Sequence, residues 1–195
     1  MATDTISQKQ KEVEREQATL GAGCFWCVEA IFQRVSGVVA VEAGYSGGFK
    51  DQPTYEEVST GRTGHVEVAR ITFDPEKISF EEILEVFWHT HDPTTPNRQG
   101  NDVGTQYRSA IFFHNDEQKR IAEESLLRTD ESDLWNSPIV TEISPLINYY
   151  RAEEYHQDYF NNNPNAGYCS IVIAPKVMKF KKEFPHLLKT QAEPE

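Results

Sequence analysis

Long apolar runs are missing from this chain of 195 residues. No stretch approaches the roughly 20 apolar residues that a membrane-spanning helix needs, so no membrane span is expected. Residues 1–17 are polar and charged and lack an apolar core, which argues against a secretory leader. Cysteine is scarce, with three in all, an odd number. A disulfide framework is therefore not expected, and the cytoplasm is the default setting, where thiols are more often catalytic or metal-binding. Basic residues are outnumbered, 19 Lys and Arg against 31 Asp and Glu, for a net charge of −12. That sign disfavours a nucleic-acid partner and favours solubility. Walker-type phosphate loops, dinucleotide-binding glycine fingerprints and nucleophilic serine elbows do not occur. Neither do internal repeats or low-complexity linkers.

What remains is ordinary globular composition, 38% hydrophobic and 26% charged. The length suits one domain, expected over residues 17–188. Residues 1–16 read as a flexible arm and 189–195 as a frayed tail.

The chain is organised around Gly21-Ala22-Gly23-Cys24-Phe25-Trp26-Cys27. A small-residue loop ends in a cysteine, and a helical pattern follows, with Val28, Ile31, Phe32 and Val35 on one face. Gly37 is a stop signal. Cys24 is thus expected at a helix N-terminus, where free N–H groups and the helix dipole favour a thiolate and lower its pKa. A buried, inert cysteine is the competing reading. Cys24 and Cys27 have the spacing of a redox dithiol, or of half a zinc site.

Further along, residues 38–45 are rich in β-formers and end at a Ser46-Gly47-Gly48 turn. A long polar loop containing Tyr55 follows. Residues 65–73 alternate as a strand that carries Glu67. Ser79 and Glu82 have capping-box spacing before an apolar helical face. Residues 92–102 form a second long loop. Strands are expected at 107–113, 139–143 and 170–173, and helices after Asn115, over 152–160, and from Pro175 to 184. Helices packed on a sheet, an α+β domain, follow from this mixture.

Several side chains have both a chemical and a plain reading. Glu67 is either an exposed strand residue or an acid whose pKa is raised by an apolar site. Tyr55 and Tyr107 either donate hydrogen bonds to a ligand oxygen or are simply half-buried. Asp102 fits a turn former. His156 reads as a helical hydrogen-bonding partner. Two broad functions compete on these residues alone: a dithiol oxidoreductase, and a zinc-holding or binding module.

Taken together, the motifs resemble the peptide-methionine (S)-S-oxide reductases. The likeness runs from about Leu20 to Tyr168. It is carried by Gly23-Cys24-Phe25-Trp26, Gly44-Tyr45-Ser46-Gly47-Gly48 and Pro53-Thr54-Tyr55. Thr63-Gly64-His65-Val66-Glu67, Gln99-Gly100-Asn101-Asp102, Gly104-Thr105-Gln106-Tyr107-Arg108-Ser109 and Tyr155-His156-Gln157-Asp158-Tyr159 extend it. Each is weak alone; in this order they are specific.

The resemblance implies a two-layer α/β sandwich with a ferredoxin-like core. It implies reduction of the S-diastereomer of methionine sulfoxide, free or in proteins, by a monomer that needs no metal or organic cofactor. Cys24 would be the nucleophile, with Phe25 and Trp26 holding the S-methyl group. Glu67, Tyr55 and Tyr107 would surround the sulfoxide oxygen, with Asp102 and His156 supporting the site. A second thiol would resolve the sulfenic acid, and thioredoxin or another dithiol would recycle the enzyme. Cys27 stands where the family often has glycine, and the segment after Cys169 is not the usual glycine-rich coil. The resemblance places Cys169 at a family resolving position and favours it for that step, with Cys27 and direct reduction as the alternatives.

Overall fold

The computed structural model describes residues 14–190. Strand β1 (Glu16–Ala22) enters helix α1 (Phe25–Phe32), which returns through β2 (Val38–Ser46). A short α2 (Tyr55–Ser59) lies inside the first long loop. Strand β3 (Val66–Phe73) and helix α3 (Phe80–Thr90) follow, then a small hairpin of β4 (Arg98–Gln99) and β5 (Asp102–Val103). Strand β6 (Ser109–Phe113), helix α4 (Asp116–Asp130), β7 (Glu142–Pro145) and β8 (Tyr150–Arg151) complete the sheet. Helices α5 (Tyr159–Asn162) and α6 (Ala174–Glu183) close the chain.

The main sheet has the order β7-β6-β1-β3-β2-β8. Its four central strands are antiparallel and arise from a β-α-β-β-α-β path, the ferredoxin-like arrangement within an α+β fold. Only β7 joins in parallel, on β6.

Side-chain alternation explains which groups the sheet delivers to its helical face. Ala69, Ile71 and Phe73 pack with α1, α3 and α6 in the main core. Glu67, in step with them, points the same way. Val66 and Val68 face the other side, where Leu146 and Tyr149 cover them. Around Glu67 both faces of β3 are therefore dry.

The capping expectations hold: Ser79 and Glu82 form a reciprocal box on α3, and Asn115 caps α4. Other expectations need correction. Most of the proposed arm lies outside the described residues, but Glu16 already pairs with Phe73. The tail beyond residue 190 also lies outside them, yet the Lys189 N–H donates to Arg34 O at 3.0 Å. Residues 107–113 are not all strand, because Tyr107 closes a 3-10 turn over Thr105–Tyr107. The strand expected at 139–143 is shifted to Glu142–Pro145 by its register against β6.

The helix expected over 152–160 is broken. A 3-10 turn at Glu154–His156 is followed by Asp158 at φ +53, which no α-helix accommodates. The strand expected at 170–173 is a π-helical turn, Cys169–Ile173, running into α6. No edge strand receives its β-formers: Ile173 is buried in the helical core, Val172 packs against that core, and Ile171 is exposed. Pro175 does sit in the first turn of α6.

Candidate active site

Cys24 is the N-cap residue of α1. The preceding Gly23 has φ +87, and a Cβ there would lie 2.6 Å from the Gln99 side chain. Only glycine makes that approach without strain. The turn faces a cavity of about 200 Å³ lined by Cys24, Phe25, Trp26, Tyr55, Glu67, Asp102, Tyr107 and Tyr168. Drug-sized ligands occupy pockets of about 300 Å³ or more, so this one suits a single side chain. The structure thus brings together around one space all the residues singled out above except His156, Cys27 and Cys169.

Glu67 is 1% exposed, and the backbone N–H of Phe25 donates to its Oε2 at 3.1 Å. Burial overrides that hydrogen bond and pushes its pKa up to about 8, with Asp102 and Cys27 adding to the rise. At neutral pH the group is mostly a carboxylic acid, able to donate a proton. Tyr55, at the start of α2, and Tyr107 both have pKa values raised by burial and by the nearby Glu67, so they stay protonated donors. Glu153 fixes the approach of Tyr55. One of its oxygens accepts the Tyr55 N–H at 3.1 Å, the other the Tyr45 hydroxyl at 3.0 Å.

The thiol expectation needs revision. Burial pushes the pKa of Cys24 well above its usual value, reinforced by its hydrogen bond with Cys27 and by Glu67. The Trp26 N–H pulls the other way but does not win. Helix position favours a thiolate only where solvent does too; here desolvation dominates. Cys27 moves down instead, chiefly through that same hydrogen bond with Cys24.

Trp26 forms one wall. Its indole N–H donates to His156 Nδ1 at 3.1 Å, and its ring stacks on Tyr159 with centroids 3.7 Å apart and planes 7° from parallel. His156 sits behind the wall, not in the cavity, and contacts the Tyr55 ring at 4.3 Å. Asp102 accepts the Tyr168 hydroxyl at 2.7 Å, and that hydroxyl lies 4.0 Å from Cys27 Sγ. Sequence reasoning missed Tyr168 as a lining residue. Its only signal was its place beside Cys169, and nothing local says that the π-helical turn swings it towards α1. Cys169 is buried in the main core with Cys24 and Cys27, and all three are free thiols. Among the described residues no group of three His, Cys, Asp or Glu side chains could hold a metal ion. No helix among them is long and apolar enough to cross a membrane.

A family model described as peptide methionine sulfoxide reductase matches residues 16–188. The peptide methionine sulfoxide reductase MsrA of Sulfolobus acidocaldarius is 58% identical over 170 residues, spanning 87% of this chain and 96% of its own. That of Trichodesmium erythraeum is 57% identical over 166 residues, 85% of this chain and 94% of its own. Among solved structures, methionine sulfoxide reductase A of Corynebacterium diphtheriae superposes with a TM-score of 0.69 at 39% identity, covering 77% of this chain and 76% of that one. Mxr1 from Saccharomyces cerevisiae in its reduced form gives 0.69 at 37% identity, covering 81% and 91%.

Proposed function

We propose, for a chain that belongs to the peptide methionine sulfoxide reductase family, that Cys24 takes the oxygen from the S-diastereomer of methionine sulfoxide. Methionine sulfoxide reduction, and with it protein repair, is the family's reaction. The stereochemistry, the residue roles and the route back to the thiol are our reading. One observation carries it: a cysteine at the start of α1 shares a side-chain-sized cavity with a glutamic acid whose pKa is about 8.

A sulfoxide sulfur is a poor electrophile until its oxygen is protonated. Glu67 gives its proton to that oxygen, while the Tyr55 and Tyr107 hydroxyls hydrogen-bond the developing charge. The Cys24 sulfur bonds to the substrate sulfur as its own proton passes to the Glu67 carboxylate. No free thiolate is needed at rest, which suits the raised pKa. The substrate S–O bond and the new S–S bond then break as the hydroxyl passes to the Cys24 sulfur, leaving a sulfenic acid there and releasing methionine with its sulfur reduced by two electrons. Phe25 and Trp26 hold the S-methyl group, and Asp102 anchors Tyr168 at the rim.

Cys27 is the nearer second thiol. It lies three residues on in the same helical turn, is hydrogen-bonded to Cys24, and has the lowered pKa that attack requires. Its thiolate attacks the Cys24 sulfur, the S–O bond breaks, the hydroxyl leaves as water with the proton that Cys27 gave up, and a Cys24–Cys27 disulfide remains. Cys169, close enough to Cys27 for their charges to interact, is the candidate for a following exchange. Thioredoxin or another dithiol then restores both thiols and is itself oxidised. Buried free thiols fit a reducing compartment such as the cytoplasm.

Incubation with a small dithiol and both diastereomers, followed by chromatographic separation, tests the reading. Loss of the S form alone is expected. Loss of neither from folded protein would mean that the fold has been kept without this chemistry.

A further inference from the structure

Trp26 and Glu29 of α1 and its C-cap residue Gln33 follow one another along a single face, and each grips the segment that sequence reading took for a helix. Trp26 bonds His156, and the Gln33 Nε2–H donates to Asp158 Oδ1 at 3.1 Å. Glu29 stands between them. It is 2% exposed, lies outside the cavity lining, and among the described residues has no cation at ion-pair distance. Burial pushes its pKa up to about 7, against the Asp158 and Tyr159 N–H groups and a weaker pull from the Arg151 charge. A buried carboxylate without a cation is expensive and asks for a reason.

Its partners supply one. Glu29 Oε1 accepts the Asp158 N–H at 2.9 Å, and Oε2 accepts the Tyr159 N–H at 3.4 Å. Asp158 occupies the left-handed region at φ +53, which a non-glycine residue enters at a cost. Two oxygens on consecutive N–H groups hold that turn in place. The turn delivers the Tyr159 ring to the back of Trp26, the most closely stacked ring pair among the described residues.

We infer that Glu29 is a positioning residue for the substrate wall, acting through the Asp158–Tyr159 turn and the Tyr159 ring to fix the Trp26 indole. The inference rests on the reading above in which Trp26 meets the substrate methyl group. Glu29 itself touches no reacting atom. A loosened wall weakens ground and transition states alike, so it raises KM and leaves kcat in place.

The test reads the indole N–H resonances of Trp26, Trp88 and Trp135, assigned by single Trp→Phe variants. Glu29→Ala is expected to shift or broaden the Trp26 signal and leave the other two unchanged. It is also expected to raise KM for methionine sulfoxide about tenfold with kcat within about twofold. Glu29→Gln keeps one acceptor oxygen and is expected to recover most of both effects. An unmoved Trp26 signal, or an unchanged KM, in folded Glu29→Ala would overturn the inference. If Glu29→Ala does not fold, Tyr159→Ala removes the backing ring directly, and an unmoved Trp26 signal there overturns it as well. The resonance needs no turnover, so it separates failure of this inference from failure of the functional reading.

Discussion

Two buried polar regions lie on the helical side of the sheet, and they differ in how completely they are satisfied. Beneath α3, the His91 Nδ1–H donates to Phe87 O and its Nε2 is hydrogen-bonded with Ser109 Oγ, each at 2.7 Å. Ser109 in turn bonds Thr141 at 2.7 Å. At the start of α1, Glu67 meets the Phe25 N–H and otherwise faces a cavity with Cys24 and two phenols. Glu67 and His91 are both almost wholly inaccessible, so burial of the central group does not mark the site. A network with every partner inside the protein is structure; one with capacity left over and space beside it is chemistry.

The comparison also has a sign. Burial lowers the His91 pKa to about 4, from 6.5. Between those values the unfolded chain binds the extra proton, so His91 costs stability as pH falls from about 6.5 to about 4. Glu67 behaves in the opposite sense. Its folded pKa of about 8 lies above the 4.5 of the free group, so the stability it contributes is full below pH 4.5 and is lost as pH rises through 8.

The sharpest way to break this contrast is Cys24→Ser. Turnover is expected to vanish with the fold intact by circular dichroism, and retained activity would refute the nucleophile. Next comes Glu67→Gln, for which kcat/KM is expected to fall by about 10²–10⁴-fold, the scale of a general acid. A protein that merely exchanged disulfides would tolerate it. With the acid form of Glu67 as the proposed proton donor, kcat/KM of the unaltered enzyme is expected to fall as pH rises through about 8. A pH profile of Glu67→Gln lacking that limb would tie it to this residue.

Cys27→Ser is expected to keep one turnover per molecule, read by rapid quench, while thioredoxin-driven cycling drops. Full cycling would move the resolving step to Cys169 or to direct reduction. The smallest effect on activity belongs to the satisfied region. His91→Ala leaves the Ser109–Thr141 pair short of a partner, so a stability loss of about 1–3 kcal/mol is expected in urea titration, with kcat/KM nearly unchanged. An activity loss as large as that of Glu67→Gln would erase the distinction between the two regions.

Much of this was legible in the chain. Alternation placed β3, a capping box placed α3, and the glycine-rich approach placed Cys24 at the head of α1. These signals are local, set within one or two turns of backbone. The motif string led to the family because it samples loops that meet only in the fold. Less legible was residue 158, whose left-handed turn is held by Glu29 far earlier in sequence. The π-helical turn over Cys169–Ile173 was also invisible, because β-formers read the same whether an edge strand or a helical core receives them.

By itself the sequence determined the order of the main elements from α1 to α4, the helix start at Cys24, the acidic charge and the absence of a long apolar run. Each follows from residue type and short-range spacing. Tertiary structure alone decided that Glu67 is dry on both sides, that Cys24 is a raised thiol, and that Tyr168 joins the rim. Those depend on desolvation and on cross-chain hydrogen bonds, which exist only once β3 has its neighbours and the loop at Leu146 and Tyr149 has closed its outer face.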